Sequence, residues 1–288
     1  MNKKLYWALI ALFSVIFLVS AIFVGDYLID SYRYKQQLDD LQNMHTQPTR
    51  PSVTLLQPTT GTMGTTNGIT LPTLPTFTDP FNSVTKPENT EETAPNGMLM
   101  DMYELYQLNN DVVGFIYIKD TNINNPVLQR KSKKDYYLYR DFYGNEDRHG
   151  SVYVREVCDV FGPSDNVTIY GHNMADGTMF ANLHKYKDKD FFNAHPVVYF
   201  DTLYERHTYQ VVCIFRTSGT YGEGFPYHLY DDFKDEAEYN AFIKGIRKLA
   251  IFDSGISVNY GDKFICLSTC EEWPIKNGRL VLLAVRIA

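Results

Sequence analysis

Three residues at the ends of apolar segments have side chains that could together perform nucleophilic chemistry. Residues 264–270 form a run of strand-forming types that ends on Cys270, and Arg279 opens a second apolar run nine residues later. His172 ends another strand-like run that begins at Val167. A thiolate is a strong nucleophile, an imidazole exchanges protons near neutral pH, and a guanidinium stays charged. We therefore expect the fold to bring Cys270, His172 and Arg279 into one site.

Each of these residues alone would be a weak signal, and two other interpretations use the same set. One is a binding module that keeps the fold and has lost the chemistry, but the presence of all three residues argues against it. The other is a zinc hydrolase with His172, Cys266 and Cys270 as ligands. A Cys-x-x-x-Cys pair on a strand with a distant histidine does not match the usual spacing of zinc ligands. We expect no metal and no cofactor.

The composition is that of a globular protein that does not bind nucleic acid. Charged residues make up 21% of the 288 residues, and the formal net charge is −7. Binding to phosphates needs clustered Lys and Arg, which this balance does not supply. The chain is long enough to build its own core without disulfides. We therefore interpret Cys158, Cys213 and Cys266 as small buried apolar residues.

The N-terminus carries an apolar segment that predicts a membrane anchor. From Leu5 to Val24 the residues are apolar or weakly polar, and no charge falls between Lys4 and Asp26. About 20 residues in a helix, at about 1.5 Å each, span a bilayer core. Lys3 and Lys4 precede the segment and place the N-terminus in the cytoplasm, with the rest of the chain outside. A cleaved signal peptide is the alternative, but its apolar region would be shorter.

The sequence divides into three parts: an anchor over 1–25, a connecting region over 26–96 and a globular domain over 97–288. The connecting region begins with a predicted short helix to about residue 45. Residues 46–96 then contain 15 Thr and 8 of the 13 Pro of the chain. Such a composition cannot bury enough apolar surface to fold alone, which indicates a linker or a stalk. Within it, Asp79, Pro80 and Phe81 form a turn signal.

The globular domain is predicted to be mostly β. Eight short strands with turn signals between them suggest a sandwich or a closed barrel. Helices are predicted over 98–108, 178–186 and 234–250, with Phe180 and Leu183 facing inward and Phe242, Ile246 and Leu249 forming the stripe of the last helix. The predicted strands cover residues 113–118, 126–129, 151–154, 167–170, 197–201, 209–215, 263–268 and 280–287.

Two motifs resemble those of sortases, the cysteine transpeptidases of Gram-positive cell surfaces. Residues 267–270, Leu-Ser-Thr-Cys, followed by Arg279, resemble the Leu-x-Thr-Cys…Arg signature of that family. Residues 170–180, Tyr-Gly-His-Asn-Met-Ala-Asp-Gly-Thr-Met-Phe, resemble the histidine segment of class B sortases. The segment 110–116 and the long helix over 234–250 are also similar to class B. The resemblance covers about 97–288; Cys266 departs from the Thr that is usual there, as a neutral substitution or a second thiol near the nucleophile.

The resemblance implies a β-barrel of eight strands with peripheral helices and an active site at one end. It implies that Cys270 attacks the carbonyl of a sorting-signal Thr, that His172 protonates the leaving amine, and that Arg279 holds the substrate or stabilises the oxyanion. The neighbours of these residues are expected to line the substrate pocket: Tyr170, Asn173, Ser268 and Thr269.

The resemblance also implies the partners of the reaction. They are the sorting-signal peptide of a surface protein and an amine of a lipid II-type peptidoglycan precursor; class B relatives often prefer signals that begin Asn-Pro. The alternative acceptor is a pilin lysine, as in class C sortases, whose Asp-Pro-aromatic lid resembles Asp79, Pro80 and Phe81. That class usually carries a C-terminal membrane span, which this sequence, ending at Ala288, does not show. The long helix also favours class B.

Overall fold

The structure is a computed structural model that describes residues 3–45, 48, 50, 52–59 and 92–288. These residues divide into two compact units, Met1–Asn43 and Met44–Ala288. The first unit is part of one helix, α1 (Lys3–Met44), which is long and apolar enough to cross a membrane. A second helix was expected to start near Asp26, but α1 is continuous. Gly25 costs a helix only about 1 kcal/mol relative to Ala, which is too little to end it.

The described residues of the second unit form nine strands, and the eight predicted from the sequence are all present with shifted ends. The added strand is β7, which directly follows a helix. The strands are β1 (Val112–Tyr117), β2 (Asn124–Leu128), β3 (Val152–Val154), β4 (Asn166–Tyr170), β5 (Val197–Thr202), β6 (Arg206–Ser218), β7 (Ala250–Asp253), β8 (Phe264–Glu271) and β9 (Gly278–Arg286).

Eight of these strands close into a barrel, which confirms the predicted fold. Their order is β5-β1-β2-β3-β4-β8-β9-β6, and β5 pairs with β6 to complete the ring. The first part of β6, Arg206 to Gln210, closes the barrel against β5, whereas Cys213 to Phe215 pair with β7 outside the ring. The β2–β3 and β4–β8 pairs are parallel, and the remaining pairs are antiparallel.

The described residues around the barrel form three α-helices, α2 (Met100–Leu108), α3 (Lys189–Ala194) and α4 (Glu236–Leu249). They also form a 3-10 helix over Ala181–Lys187, called the 3-10 helix below, and a single 3-10 turn over Tyr227–Leu229. The predicted helix over 178–186 starts late because Met179 has a φ of 56°, which interrupts a right-handed helix. Asp235 caps α4 by accepting a hydrogen bond from Glu238 N. Phe180, Leu183, Phe242 and Ile246 are buried as expected, but Leu249 is exposed.

An ionic cluster attaches the residues that follow α1 to the barrel. Arg50 binds the Asp201 carboxylate at 2.6 Å, and Arg206 binds it at 2.9 Å. His45 lies 2.7 Å from Asp101, which Arg206 also contacts at 3.1 Å. His45, Arg50 and Asp201 are buried. Since a buried carboxylate must be paired with a cation, the cluster fixes this segment of chain on the barrel.

Other described parts of the predicted linker also lie on the barrel. The backbone of Leu56 exchanges two hydrogen bonds with the Gln210 side chain, at 2.7 and 3.0 Å. Thr59 N donates to Gly255 O at 2.9 Å. Asp79, Pro80 and Phe81 lie outside the described residues.

Three of the four cysteines are buried as free thiols, which confirms their interpretation as small apolar residues. Burial raises the pKa of Cys158 to about 11 and raises the pKa of Cys213 and Cys266 further. Cys266 belongs to the core between the barrel and α4, together with Phe242. It is therefore a packed core residue and does not offer a second thiol to the groove described below.

Candidate active site

Two neighbouring strands bring Cys270 and Arg279 side by side. In the antiparallel β8–β9 pair, Cys270 is directly opposite Arg279. Residues opposite each other in such a pair share one face of the sheet, with Cβ atoms about 5 Å apart. Both residues are half-buried, whereas Thr269 and Leu280, one step back along the strands, are buried. The pair therefore stands at the margin of the core, where it can meet a substrate.

The strand on the other side of β8 carries His172 to the same place. β4 runs parallel to β8, with Tyr170 opposite Ser268, so His172 follows the end of β4 as Cys270 approaches the end of β8. Gly171 lets the chain turn close to the Phe180 ring, because a Cβ at this position would lie 2.6 Å from that ring. The glycine before His172 is therefore explained by packing, since a larger residue would clash with the Phe180 ring.

These residues line a groove with a volume of about 830 Å³. Two loops, around Leu138 and Tyr221, and the 3-10 turn that ends at Leu229 also contribute to its walls. The residues that the sequence predicts for the site and that do line the groove are Tyr170, His172, Ser268, Thr269, Cys270 and Arg279. Asn173 is not among the lining residues; its side chain donates to the backbone carbonyl of Cys270 at 3.2 Å.

His172 is held by a backbone carbonyl. Its Nε2 lies 2.6 Å from Leu138 O, and its ring lies 5.4 Å from the ring of Tyr139. A carbonyl can only accept, so Nε2 carries the proton and Nδ1 carries the lone pair of the neutral ring. Burial lowers the pKa of His172, the Leu138 carbonyl opposes this, and the positive charges of His149 and Arg279 lower it further. The neutral ring is therefore the major form at pH 7.

Arg279 is oriented by the turn between β8 and β9 and by a glycine across from it. Its Nη1 donates to Asn277 O at 3.2 Å and to Gly278 O at 3.0 Å. A Cβ on Gly219 would lie 2.8 Å from the guanidinium carbon. A larger residue at position 219 would therefore occupy the space that the Arg279 guanidinium fills.

The floor of the groove is a buried polar pair. Tyr227 Oη and Ser268 Oγ are 2.6 Å apart, and both side chains are buried. Burial raises the pKa of Tyr227 and that of Tyr170, so both phenols are protonated at neutral pH. Ser268 therefore holds Tyr227 over the strand that leads to Cys270.

A charged cluster lies directly behind Cys270. Glu271 is buried, and its carboxylate binds Lys187 Nζ and Arg216 Nε, both at 2.7 Å. Burial alone would raise the pKa of Glu271, but the hydrogen bonds and charges of Arg216 and Lys187 lower it below its ordinary value. Glu271 is thus a stable anion that ties β8 to β6 and to the 3-10 helix.

Sequence reasoning missed four residues that hold the predicted ones. Leu138 acts through its backbone, which leaves no side-chain signal, and Gly219 acts through the absence of a side chain. Tyr227 and His184 are ordinary aromatic residues in the sequence, yet they bond Ser268 and the Cys270 carbonyl. In the part of the chain that the structure describes, His172, Cys266 and Cys270 do not belong to any group of three or more His, Cys, Asp or Glu that could hold a metal ion.

The chain matches known proteins in sequence and in fold. Residues 116–287 match the family model described as Sortase domain. Sortase B of Listeria monocytogenes is 32% identical over 197 residues, which cover 66% of this chain and 76% of the relative.

Solved structures of similar proteins extend the match. Sortase B of Bacillus anthracis, bound to AAEK1, has a TM-score of 0.64 at 26% identity and covers 90% of this chain and 99% of its own. A Staphylococcus aureus sortase B–substrate complex has a TM-score of 0.59 at 29% identity, and the match covers 65% of this chain and 84% of that one.

Proposed function

Because this chain belongs to the class B sortases, a group of cysteine transpeptidases, we propose that it cuts a sorting signal after Thr and joins the new carboxyl end to an amine. The observation that carries this proposal is the groove, in which Cys270 and Arg279 stand opposite each other on paired strands and His172 faces the same space.

Cys270 is the proposed nucleophile. Its thiolate sulfur bonds to the carbonyl carbon of the Thr, and the carbonyl electrons move to oxygen. When the tetrahedral intermediate collapses, the C–N bond breaks and the leaving amine takes a proton from His172. In the second half, an acceptor amine attacks the thioester, His172 takes its proton, and the Cys270 thiolate leaves. The protons balance over the two halves, and no oxidant or cofactor is needed.

His172 is suited to this double role because its ring is held from one side only. The Leu138 carbonyl fixes the ring through Nε2, which leaves Nδ1 to exchange protons with the substrate. Such a fixed tautomer is what a general acid–base needs. Since burial lowers its pKa, protonated His172 is the minor form at pH 7, and the acid step depends on that minor form.

Arg279 is proposed to stabilise the oxyanion and to hold the substrate. It does not lose its proton in proteins, so it is a poor acid or base. Its position directly opposite Cys270 puts a fixed positive charge within reach of the carbonyl oxygen under attack.

The peptide is proposed to lie along the groove and over the Tyr227–Ser268 floor. Tyr170, Ser268 and Thr269 are the proposed pocket residues; Asn173 acts on the backbone of Cys270 instead. The complex of Staphylococcus aureus sortase B with its substrate supports a peptide in this groove. The acceptor is proposed to be an amine of a cell-wall precursor. The apolar part of α1 supports a single-pass anchor with the N-terminus in the cytoplasm and the domain outside.

The test uses the full-length protein in detergent micelles, with Cys270→Ala as its matched control. Each protein is incubated with quenched sorting peptides that begin Asn-Pro or Leu-Pro, with and without a glycine-based or lysine-based amine. We expect cleavage after Thr by the native protein only, and a ligated product whose mass includes the amine. Cleavage that persists in Cys270→Ala, or no cleavage of any peptide, would overturn the proposal.

A further inference from the structure

The carbonyl of Cys270 lies where its neighbouring strand has ended. The last backbone bond between β4 and β8 runs from Gly171 N to Ser268 O, at 3.1 Å. Alternate peptide groups of a strand point to the same edge, so the Cys270 carbonyl also points toward the β4 side. In the parallel register that pairs Tyr170 with Ser268, its donor would be the backbone N–H of residue 173.

Two side chains take the place of that missing donor. Asn173 Nδ2 donates to Cys270 O at 3.2 Å, and His184 Nε2 lies 3.3 Å from the same atom. A carbonyl oxygen has two lone pairs and no proton, so it accepts from both, and His184 carries its proton on Nε2. His184 reaches this point from the 3-10 helix, 86 residues away in the sequence.

The surroundings of His184 favour its neutral form. Burial, then the charge of Lys187, lower the pKa of His184, and Arg216 acts in the same direction. The Cys270 carbonyl and the Glu271 charge oppose this. Nδ1 faces Glu271 at 3.9 Å, but that carboxylate is already bound by the two cations at 2.7 Å. His184 is therefore available as a neutral donor.

We infer that His184, together with Asn173, is a positioning residue that fixes the peptide group of Cys270 and so the place of its sulfur relative to His172. Asn173 directly follows His172 in the chain, so its bond to Cys270 O ties the histidine loop to the cysteine strand. His184 supplies the second bond and joins both to the 3-10 helix. This inference rests on the proposed function only in taking Cys270 as the nucleophile.

The experiment compares His184→Phe with His184→Gln in the full-length protein. Phe keeps a ring but removes the donor, whereas Gln offers an N–H at a similar reach. We expect His184→Phe to lower kcat for peptide cleavage by about tenfold, because a nucleophile that is held less firmly spends less time in the geometry of attack. KM should stay within about twofold, because no contact with the peptide is removed. His184→Gln should recover most of the loss.

Hydrogen exchange provides a readout that needs no substrate. The amides of residues 268–272 should exchange faster in His184→Phe, by about the same factor, while the rest of the barrel is unchanged. Asn173→Ala is the second variant, and it should show the same local change if His184→Phe does not fold. His195→Phe is the matched control, since His195 bonds Asp120 and does not contact the groove.

The outcomes are separable. Unchanged kcat and unchanged exchange at 268–272 in His184→Phe would overturn the inference, as would a Gln variant no better than Phe. Faster local exchange in His184→Phe, together with no peptide cleavage by the native protein itself, would overturn the proposed function and leave the positioning of Cys270 supported.

Discussion

The two halves of β8 carry the same kind of residue in opposite surroundings. Cys266 and Cys270 lie four residues apart, so both side chains point to the same face of the strand. At Cys266 that face is covered by α4, and the thiol is fully buried in the core. At Ser268 it is covered by Tyr227, and at Cys270 it opens into the groove. A thiol is an apolar core residue or a candidate nucleophile according to what covers the strand.

The largest effect should come from removing the Cys270 thiol, which opens into the groove. Cys270→Ala should lower the rate of peptide cleavage by at least about 10³-fold, as the loss of a covalent nucleophile does in proteases. Its thermal midpoint should stay within about 2 °C, since the side chain is only half-buried. Peptide cleavage and a calorimetric scan of the same sample measure both. A large loss of stability would show that the two thiols do not differ as described.

Removing the positive charge opposite Cys270 should have the second-largest effect. Arg279→Gln should lower kcat by about 10²-fold or more, in the range found for loss of one oxyanion donor. Gly219→Ala should give a smaller loss of the same kind, because the added methyl displaces the guanidinium. Steady-state kinetics with one peptide compare the two. Equal kcat in Arg279→Gln and in the native protein would contradict the role of the charge.

Removing the covered thiol should change stability rather than activity. Cys266→Ala should lower the free energy of unfolding by about 1–2 kcal/mol through loss of packing in the core. The rate of peptide cleavage should stay within about twofold. Urea unfolding and the cleavage assay report the two quantities. A tenfold loss of activity at native stability would instead make Cys266 part of the active site.

The smallest effects should appear in the pH dependence, where two histidines have opposite signs. The pKa of His172 is lowered from 6.5, so its contribution to stability is lost as the pH falls below 6.5. Burial alone would lower the pKa of His149, but Asp147 and Asp176 raise it above 6.5. Its contribution is therefore full below pH 6.5 and is lost as the pH rises through the folded value.

His149→Asn is the variant that separates the two histidines. It removes a positive charge near His172, so the pKa of His172 should rise and the acidic limb of the pH–rate profile should move upward in pH. Histidine NMR titration measures this directly. An unchanged His172 titration would show that the two rings are not electrostatically coupled.

The sequence predicts the parts of the site that depend on strand ends. Cys270, Arg279 and His172 each lie within two residues of a strand that periodicity and residue type identify, so their meeting in one groove could be expected. The contacts of Leu138 and His184 could not be predicted. Leu138 binds through its backbone carbonyl, which every residue type has, and His184 is 86 residues from Cys270, so no local sequence pattern links them. The start of the 3-10 helix was missed for a local reason, the left-handed backbone of Met179.

The attachment of Arg50, Leu56 and Thr59 to the domain changes what the Thr- and Pro-rich region does for the chain. Thr59 is bonded to Gly255, and Thr93 pairs with Leu99, so the described residues on either side of positions 60–91 belong to the same body. Residues inserted between these two attachment points lengthen a segment whose ends are both fixed, and they do not lengthen the connection from α1 to the barrel. Since the entropy of closing a loop grows only with the logarithm of its length, this stretch is a place where the gene can gain or lose codons at little cost to folding.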